Sequence, residues 1–174
     1  MDRLADKNIL ITGGNSGIGL AAAQEFDAEG ARVAICGLNE ATLQAAKKTL
    51  GAGSLAVRTD VSNLADLDTM FATIKREFEH LDGVFVNAGY SEFLPFEDVT
   101  ERSFDRVVDV NFKGVYFTIQ KALPLLRGAH LSSSLRRLAR ARGGRQPRQS
   151  RPARPRSSIS LESSAPNSWT AGFA

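Results

Sequence analysis

The sequence predicts an α/β fold, a doubly wound parallel sheet with helices on both faces, over residues 1–127. Three observations carry that expectation. Strand-like and helix-like segments alternate along these residues, the mark of βα units joined by right-handed crossovers. The first strand–helix junction is rich in glycine, reading Thr12-Gly-Gly-Asn-Ser-Gly-Ile-Gly19. After Arg127 the alternation stops, because the composition changes. The chain has 174 residues, 43% of them hydrophobic, so one compact core is expected.

The elements follow in order. Asn8–Ile11 is a short apolar run and the first strand, and Gly17–Glu29 is the helix that opens from the glycine turn. Ala31–Cys36 and Ser54–Arg58 are the next strands, with the helix Glu40–Leu50 between them. In the helix Leu64–His80, Leu64, Leu67, Phe71, Ile74 and Phe78 recur at three- and four-residue spacing and form one apolar stripe. Gly83–Asn87 is the fourth strand. The last helix is Glu101–Leu126, with Thr100 as its N-cap and Pro124 near its end, where the ring bends or stops it.

A buried strand that enters a glycine turn and opens a helix offers backbone N–H groups to a pyrophosphate. The spacing is G-x-x-x-G-x-G at Gly13, Gly17 and Gly19, with Gly14 additional. Such glycines serve positive φ, close approach to phosphate and close helix–strand packing. The loop therefore predicts dinucleotide binding through Thr12, Gly13, Asn15, Ser16, Gly17, Ile18 and Gly19, with a purely structural turn as the alternative. No Lys-Ser/Thr follows the glycines, which argues against an ATP-type phosphate loop. An acidic residue at the end of the second strand would favour NAD. Cys36-Gly37-Leu38-Asn39 stands there instead, so NAD(P) is expected with a slight lean to NADP.

The charge is unevenly spread. Residues 1–127 carry 13 Lys/Arg against 18 Asp/Glu, whereas 128–174 carry nine arginines against one glutamate. The second segment also holds ten serines, one Phe and one Trp, with no Tyr or Lys. It buries too little apolar surface to offset chain entropy and is expected to be a disordered tail, with only Leu131–Leu138 passing for an ordered piece. Two parts are thus expected, an NAD(P)-binding domain over 1–127 and an Arg/Ser-rich tail over 128–174. The start Met-Asp-Arg-Leu-Ala-Asp reads as no secretory signal, and no apolar run reaches membrane-spanning length. The single cysteine, Cys36, lies in an apolar strand with nothing basic beside it and reads as a buried structural thiol. A reducing cytoplasm fits. No metal site is expected.

Four landmarks in order over residues 1–127 resemble the short-chain dehydrogenase/reductase family. They are Thr12–Gly19, Asp60-Val61, Asn87-Ala88-Gly89, and Asn111 within Val110-Asn111-Phe112-Lys113-Gly114. The resemblance implies a Rossmann-type sheet of order 3-2-1-4-5-6-7, of which this chain supplies the first four strands. It implies that the loop binds the pyrophosphate, that Asp60 beside Val61 bonds the adenine, and that Asn87, Ala88 and Gly89 lie beside the cofactor. It implies that Asn111 kinks its helix and holds a water of a proton relay. The residues alone leave Asp60 open as the start of a turn before Leu64, and Asn87–Gly89 as an ordinary strand exit. Two departures stand out: Val86 replaces a usual asparagine, and Leu38 replaces the arginine that often binds a 2′-phosphate.

Catalysis in that family, by the same resemblance, needs a Tyr-x-x-x-Lys pair and an upstream serine. A phenol with a pKa of about 10 works at neutral pH only when a cation stabilises its phenolate. Spacing of four puts both groups on one helix face. Here Leu94 stands four residues after Tyr90, Gln120 four after Tyr116, and no lysine follows Lys121. The pair is absent. Of the family's catalytic set only Asn111 carries over. Ser132, Ser133 and Ser134 lie near the serine's place without a tyrosine partner, and His80 and His130 read as helix-end and loop residues.

A shift of reading frame just after Arg127 accounts for the break. Taking the third base of each codon with the first two of the next, Trp169–Thr170 forces Asp. Residues 165–174 then permit A-E-L-V-D-R-G-I-R, 130–139 permit S-V-I-L-T-S-S-A-G, and Ala153–Arg154 permits Lys. Gln149–Ser150, where the tyrosine is needed, does not permit it.

Three functions compete. The first is an oxidoreductase moving hydride between NAD(P) and an alcohol or carbonyl, inactive as given, so whether this chain is itself an enzyme stays open. The second is a non-catalytic dinucleotide-binding regulatory module. The third, nonspecific nucleic-acid binding by the arginines, is disfavoured because Arg136–Arg156 has no interleaved aromatics. Phe93, Leu94, Pro95 and Phe96 either border a substrate or pack in the core. With four strands only, Gly83–Asn87 becomes an exposed apolar edge that invites aggregation. The family is usually homo-oligomeric, and the resemblance implies that Glu101–Leu126 here lacks its usual neighbour, the helix carrying Tyr and Lys that builds the dimer interface.

Overall fold

The computed structural model describes residues 3–127. His130, Ser132–Ser134 and the rest of 128–174 lie outside the described residues, as does the expectation of a tail. Four strands, β1 (Asn8–Thr12), β2 (Arg32–Gly37), β3 (Leu55–Arg58) and β4 (Gly83–Val86), form one parallel sheet in the order β3-β2-β1-β4. The chain lays β2 and β3 outward on one side of β1, then returns to place β4 on the other. Thr12 pairs with Cys36 on one side and Val86 on the other. The strand order thus reverses at β1, and that reversal opens a crevice at the carboxyl ends of β1 and β4.

Among the described residues five α-helices accompany the sheet: α1 (Gly17–Ala28), α2 (Glu40–Lys47), α3 (Leu64–Phe78), α4 (Glu101–Val108) and α5 (Val115–Ala122). Strand periodicity divides the core. Ile9 and Ile11 point to one face, with Val33, Ile35, Ala23 of α1 and Leu43 and Ala46 of α2. Leu10 points to the other, with Ala34, Cys36 and Leu67, Met70, Phe71, Ile74 and Phe78 of α3. Burial on both faces is why β1 reads as an unbroken apolar run. The stripe on α3 lies in the core as its spacing predicts, with Leu64 partly buried and Met70 added. Each such side chain contributes about 1.5–3 kcal/mol through burial.

The continuous helix Glu101–Leu126 is the main correction. α4 gives way to a π-helical turn over Asp109–Gly114, α5 follows, and a 3-10 turn over Leu123–Leu125 takes in Pro124. One cause is local: Pro124 has no N–H to continue the α pattern. A second is tertiary: Gly114 lies so close to Val61 that a Cβ would stand 3.0 Å from the Val61 carbonyl oxygen. The third is the side chain of Asn111, described below. At the start of α4, Thr100 Oγ1 accepts from the Ser103 N–H (3.2 Å) while Ser103 Oγ accepts from the Thr100 N–H (3.0 Å), a reciprocal cap. Other ends shift slightly. α2 stops at Lys47, and α3 stops at Phe78 because Glu79 takes a left-handed φ of +64°.

Among the described residues β4 has one strand neighbour, and Phe85 on it is 36% exposed. Beside its start, the Leu81 N–H donates to the Leu125 carbonyl (2.8 Å) and the Arg127 N–H to the Leu81 carbonyl (2.9 Å), a short parallel bridge. No described helix is long and apolar enough to cross a membrane.

Candidate functional site

A cleft of about 380 Å³ occupies the crevice, within the size range of small-molecule sites. Its walls are Gly13, Asn15 and Ser16 of the loop, Cys36–Asn39 at the end of β2, Thr59–Ser62 after β3, and Asn87–Tyr90 after β4. Arg106 and Val110 close the side of α4.

The glycine turn sets the floor. Gly13 has φ +67°, and a Cβ there would stand 3.0 Å from Ala88 Cα, so the two strand exits touch. Gly17 has φ +53° with nothing within 4 Å of an added Cβ. Ser16 makes no side-chain cap, so the first-turn N–H groups of α1 lack both intrahelical and capping partners. Unspent donors beside open space, at the positive end of a helix, are what an anion requires. A dinucleotide's pyrophosphate fits.

Four loop residues expected at the cofactor do not line the cleft. Gly17 and Ile18 stand exposed outside it, Ile18 at 76%. Gly19 is buried, and a Cβ there would enter the Gly13 carbonyl oxygen. Thr12 is fully buried, and its hydroxyl accepts from the N–H groups of Asn87 and Ala88, each at 3.0 Å. Asn87 completes the tie, its Nδ2 donating to the carbonyl oxygens of Thr12 (3.2 Å) and Gly13 (3.4 Å). Thr12 and Gly19 shape the turn.

Asp60 serves a turn and the cleft together. Its Oδ1 accepts from the Ser62 N–H (2.9 Å) and hydroxyl (2.6 Å), and its own N–H donates to Asp66 Oδ2 (3.0 Å). The Asp60 Oδ2 has no hydrogen-bond partner among the described residues. Val61 beside it is buried, and Leu38 is 49% exposed at the rim. Asn39 Oδ1 accepts from the Thr42 N–H (3.1 Å) and caps α2, and Asn15 Nδ2 donates to Thr42 Oγ1 (2.8 Å). No carboxylate occurs in Gly37–Asn39.

Asn111 lies in the π turn. Its Oδ1 accepts from the Tyr90 N–H (2.8 Å) and its Nδ2 donates to the Tyr90 carbonyl (2.7 Å). Both polar ends of the side chain therefore hold the segment after β4. Tyr90 and Arg106 are cleft residues the sequence reading did not single out. Tyr90 directly follows Asn87-Ala88-Gly89, which was a usable signal, but nothing in the pattern of α4 marks Arg106.

Several other candidates fall away from the cleft. Burial pushes the Cys36 thiol up to about 12, partly offset by hydrogen bonds with Gly13 and Thr59. It is inert at neutral pH, as its apolar setting predicts. His80 sits at the opposite, amino end of the sheet, with Nε2 3.4 Å from Asp82 Oδ2. Phe93 and Phe96 are 96% and 93% exposed and Leu94 and Pro95 are also exposed, so none packs in the core and none lines the cleft. No cluster of three or more His, Cys, Asp or Glu suited to a metal occurs among the described residues.

Sheet order and crevice define a Rossmann-type domain. Residues 7–133 match the family model for the short chain dehydrogenase. The chain belongs to that family, and membership implies NAD(P) binding. It is 45% identical over 129 residues to Oxidoreductase asL5 of Sarocladium schorii, covering 74% of this chain and 52% of that protein. It is 36% identical over 143 residues to galactitol 2-dehydrogenase of Agrobacterium fabrum, covering 82% and 52%. A crystal structure of a glucose/ribitol dehydrogenase of the same family from Brucella melitensis superposes with a TM-score of 0.67 at 29% identity, covering 71% and 53%. The chain spans about half the length of the curated relatives it matches.

Proposed function

We propose that this chain carries the cofactor-holding half of an NAD(P)-dependent oxidoreductase acting on an alcohol or carbonyl. The pyrophosphate lies on the loop Gly13–Gly19, the adenine at Asp60 and Val61, and the nicotinamide beside Asn87–Gly89. The single observation that carries this is the cleft at the strand-order reversal, lined by Gly13, Asn15 and Ser16 of the turn, with the uncapped first-turn N–H groups of α1 facing open space beside it. When bound, the nicotinamide supplies the hydride donor or acceptor. Chain residues bind it, orient it and shape the turn beneath it. The relatives' names, a galactitol dehydrogenase and a glucose/ribitol dehydrogenase, support an alcohol or carbonyl as the substrate class. Gly37-Leu38-Asn39 bears no carboxylate to repel a 2′-phosphate, which favours NADP over NAD.

Without Tyr-x-x-x-Lys this sequence binds cofactor and transfers no hydride. The coding frame shifts after Arg127, and the protein with the frame restored is the active form. The test measures NADPH and NADH binding by fluorescence titration, and hydride transfer with a panel of polyols and ketones, on both chains. Binding by both with transfer by the restored chain alone is expected. Turnover by the chain as written overturns the assignment. Binding without turnover in either favours a regulatory dinucleotide-binding module, the reading supported by the missing pair.

A further inference from the structure

Arg106 projects from α4 into the cleft wall, and its guanidinium carbon lies 4.2 Å from the centroid of the Tyr90 ring. It is exposed, and among the described residues it makes neither an ion pair within 4.0 Å nor a side-chain hydrogen bond. Glu101, Asp105 and Asp109 border a depression on its outer side, yet Asp109 pairs with Lys113 at 3.2 Å instead. An arginine placed this way uses one face on an aromatic ring and keeps its other face and its N–H donors free.

The backbone that carries the supporting ring is held in place. Asn111 bonds both backbone polar groups of Tyr90, at 2.8 and 2.7 Å, from a π turn, a helix irregularity that recurs at functional sites. Asn111 thus holds Tyr90, and Tyr90 holds Arg106. Asp60, Val61 and Val110 line the same cleft. Two apolar side chains, one carboxylate oxygen without a partner and one cationic plane suit a flat base with an exocyclic amine. They do not suit a phosphate, because the Asp60 carboxylate in that cleft repels an anion.

We propose that Arg106, carried on the Tyr90 ring, is a binding residue for the adenine base, its guanidinium covering a π face of the ring. This rests on the dinucleotide reading above. The test is isothermal titration of the full chain and of Arg106→Ala and Arg106→Lys with NADPH, ADP-ribose and inorganic pyrophosphate. A cation–π contact corresponds to a loss of roughly 2- to 5-fold when exposed and about 30-fold when desolvated. Arg106→Ala is expected to weaken NADPH and ADP-ribose by the same factor, about 10-fold, and to leave pyrophosphate affinity unchanged. Arg106→Lys recovers only part, since an ammonium has no plane to stack, and it also separates loss of binding from loss of fold. Unchanged NADPH affinity in Arg106→Ala overturns the assignment. An equal loss on pyrophosphate places the guanidinium at the phosphates and overturns it too. Failure of the unmodified chain to bind NADPH removes the proposed function itself, and this assignment with it.

Discussion

Replacing Gly19 with alanine sets two effects of opposite sign against each other. In a helix interior alanine is favoured over glycine by about 0.8–1.0 kcal/mol. Against this, a Cβ on Gly19 would enter the Gly13 carbonyl oxygen, with Asn87 Nδ2 at 2.6 Å and the Gly13 carbonyl carbon at 2.8 Å. Gly13 cannot simply rotate away, since it is held at φ +67° with Ala88 directly behind it. Overpacking of this kind costs about 1–3 kcal/mol. Displacing the Asn87 amide also weakens its bonds to Thr12 and Gly13, each worth about 1 kcal/mol. The clash wins, with a net loss of about 1–3 kcal/mol, or a melting temperature lower by roughly 3–10 °C. NADPH affinity falls with it, because the displaced turn carries the phosphate-facing N–H groups. Gly17→Ala is the control, with a left-handed φ of +53° but free space around the Cβ, costing about 1–2 kcal/mol in backbone strain alone. Differential scanning fluorimetry reads both. A Gly19→Ala chain that melts at or above the unmodified temperature refutes the reasoning, for it means the turn yields freely and helix propensity decides.

Three other outcomes follow from single groups. Thr12→Val leaves two N–H groups without their acceptor and costs about 2–4 kcal/mol, while Thr12→Ser restores most of it; equal melting of all three chains contradicts the tie. The Cys36 thiol, pushed up to about 12 by burial, resists Ellman's reagent at pH 8 until denaturant is added, and fast labelling of the folded chain contradicts that placement. Because its folded value lies above the ordinary 9.0, its contribution to stability is present below pH about 9 and declines as pH rises toward 12. Glu29 is held at about 2, chiefly by the hydrogen bond from the Arg3 side chain. Burial raises Asp82, but bonds from the Asn8 N–H and Lys7 and the charges of Lys7 and His80 outweigh it and leave Asp82 lowered. Both are depressed, so the stabilisation from Glu29 is present above pH about 4.5 and is lost as pH falls toward 2, and that from Asp82 is present above its ordinary 3.8 and is lost as pH falls below it. Asp82→Asn is accordingly expected to lower the melting temperature more at pH 6 than at a pH below 3.8, and identical curves at pH 6 contradict it.

The sheet was legible because β1 and β2 are buried on both faces and α3 on one, so burial wrote itself into apolar periodicity. The glycine turn was legible because positive φ and a missing Cβ leave no alternative residue at Gly13 and Gly19. The break in the last helix was legible at Pro124 and, through the family resemblance, at Asn111, but apolar periodicity does not show it. It depends on Asn111 finding the backbone of Tyr90, 21 residues earlier, and on Gly114 meeting Val61, contacts that leave no local period. The contacts of Thr12 were not legible for a related reason. Its position in the motif is visible in sequence, but the direction of its hydroxyl is fixed by the Asn87 and Ala88 N–H groups on a strand that is sequentially remote. Arg106 was invisible because its partner is an aromatic ring outside its own helix.

The bonds that shape the cleft are drawn entirely from residues before the compositional break. Thr12 and Asn87 tie β1 to β4, Gly13 lies against Ala88, Asp60 folds onto Ser62, and Asn111 holds Tyr90. None of these contacts needs a residue beyond Asn111. A change of sequence after Arg127 therefore leaves every one of their donors and acceptors in place, while removing the positions at which the family's phenol and lysine stand. On the function proposed above, cofactor binding and hydride transfer would be separable by sequence region. That separation is why titration with NADPH and turnover of an alcohol must be measured on the same preparation: agreement between them, both present or both absent, is the result that a self-contained cofactor half forbids.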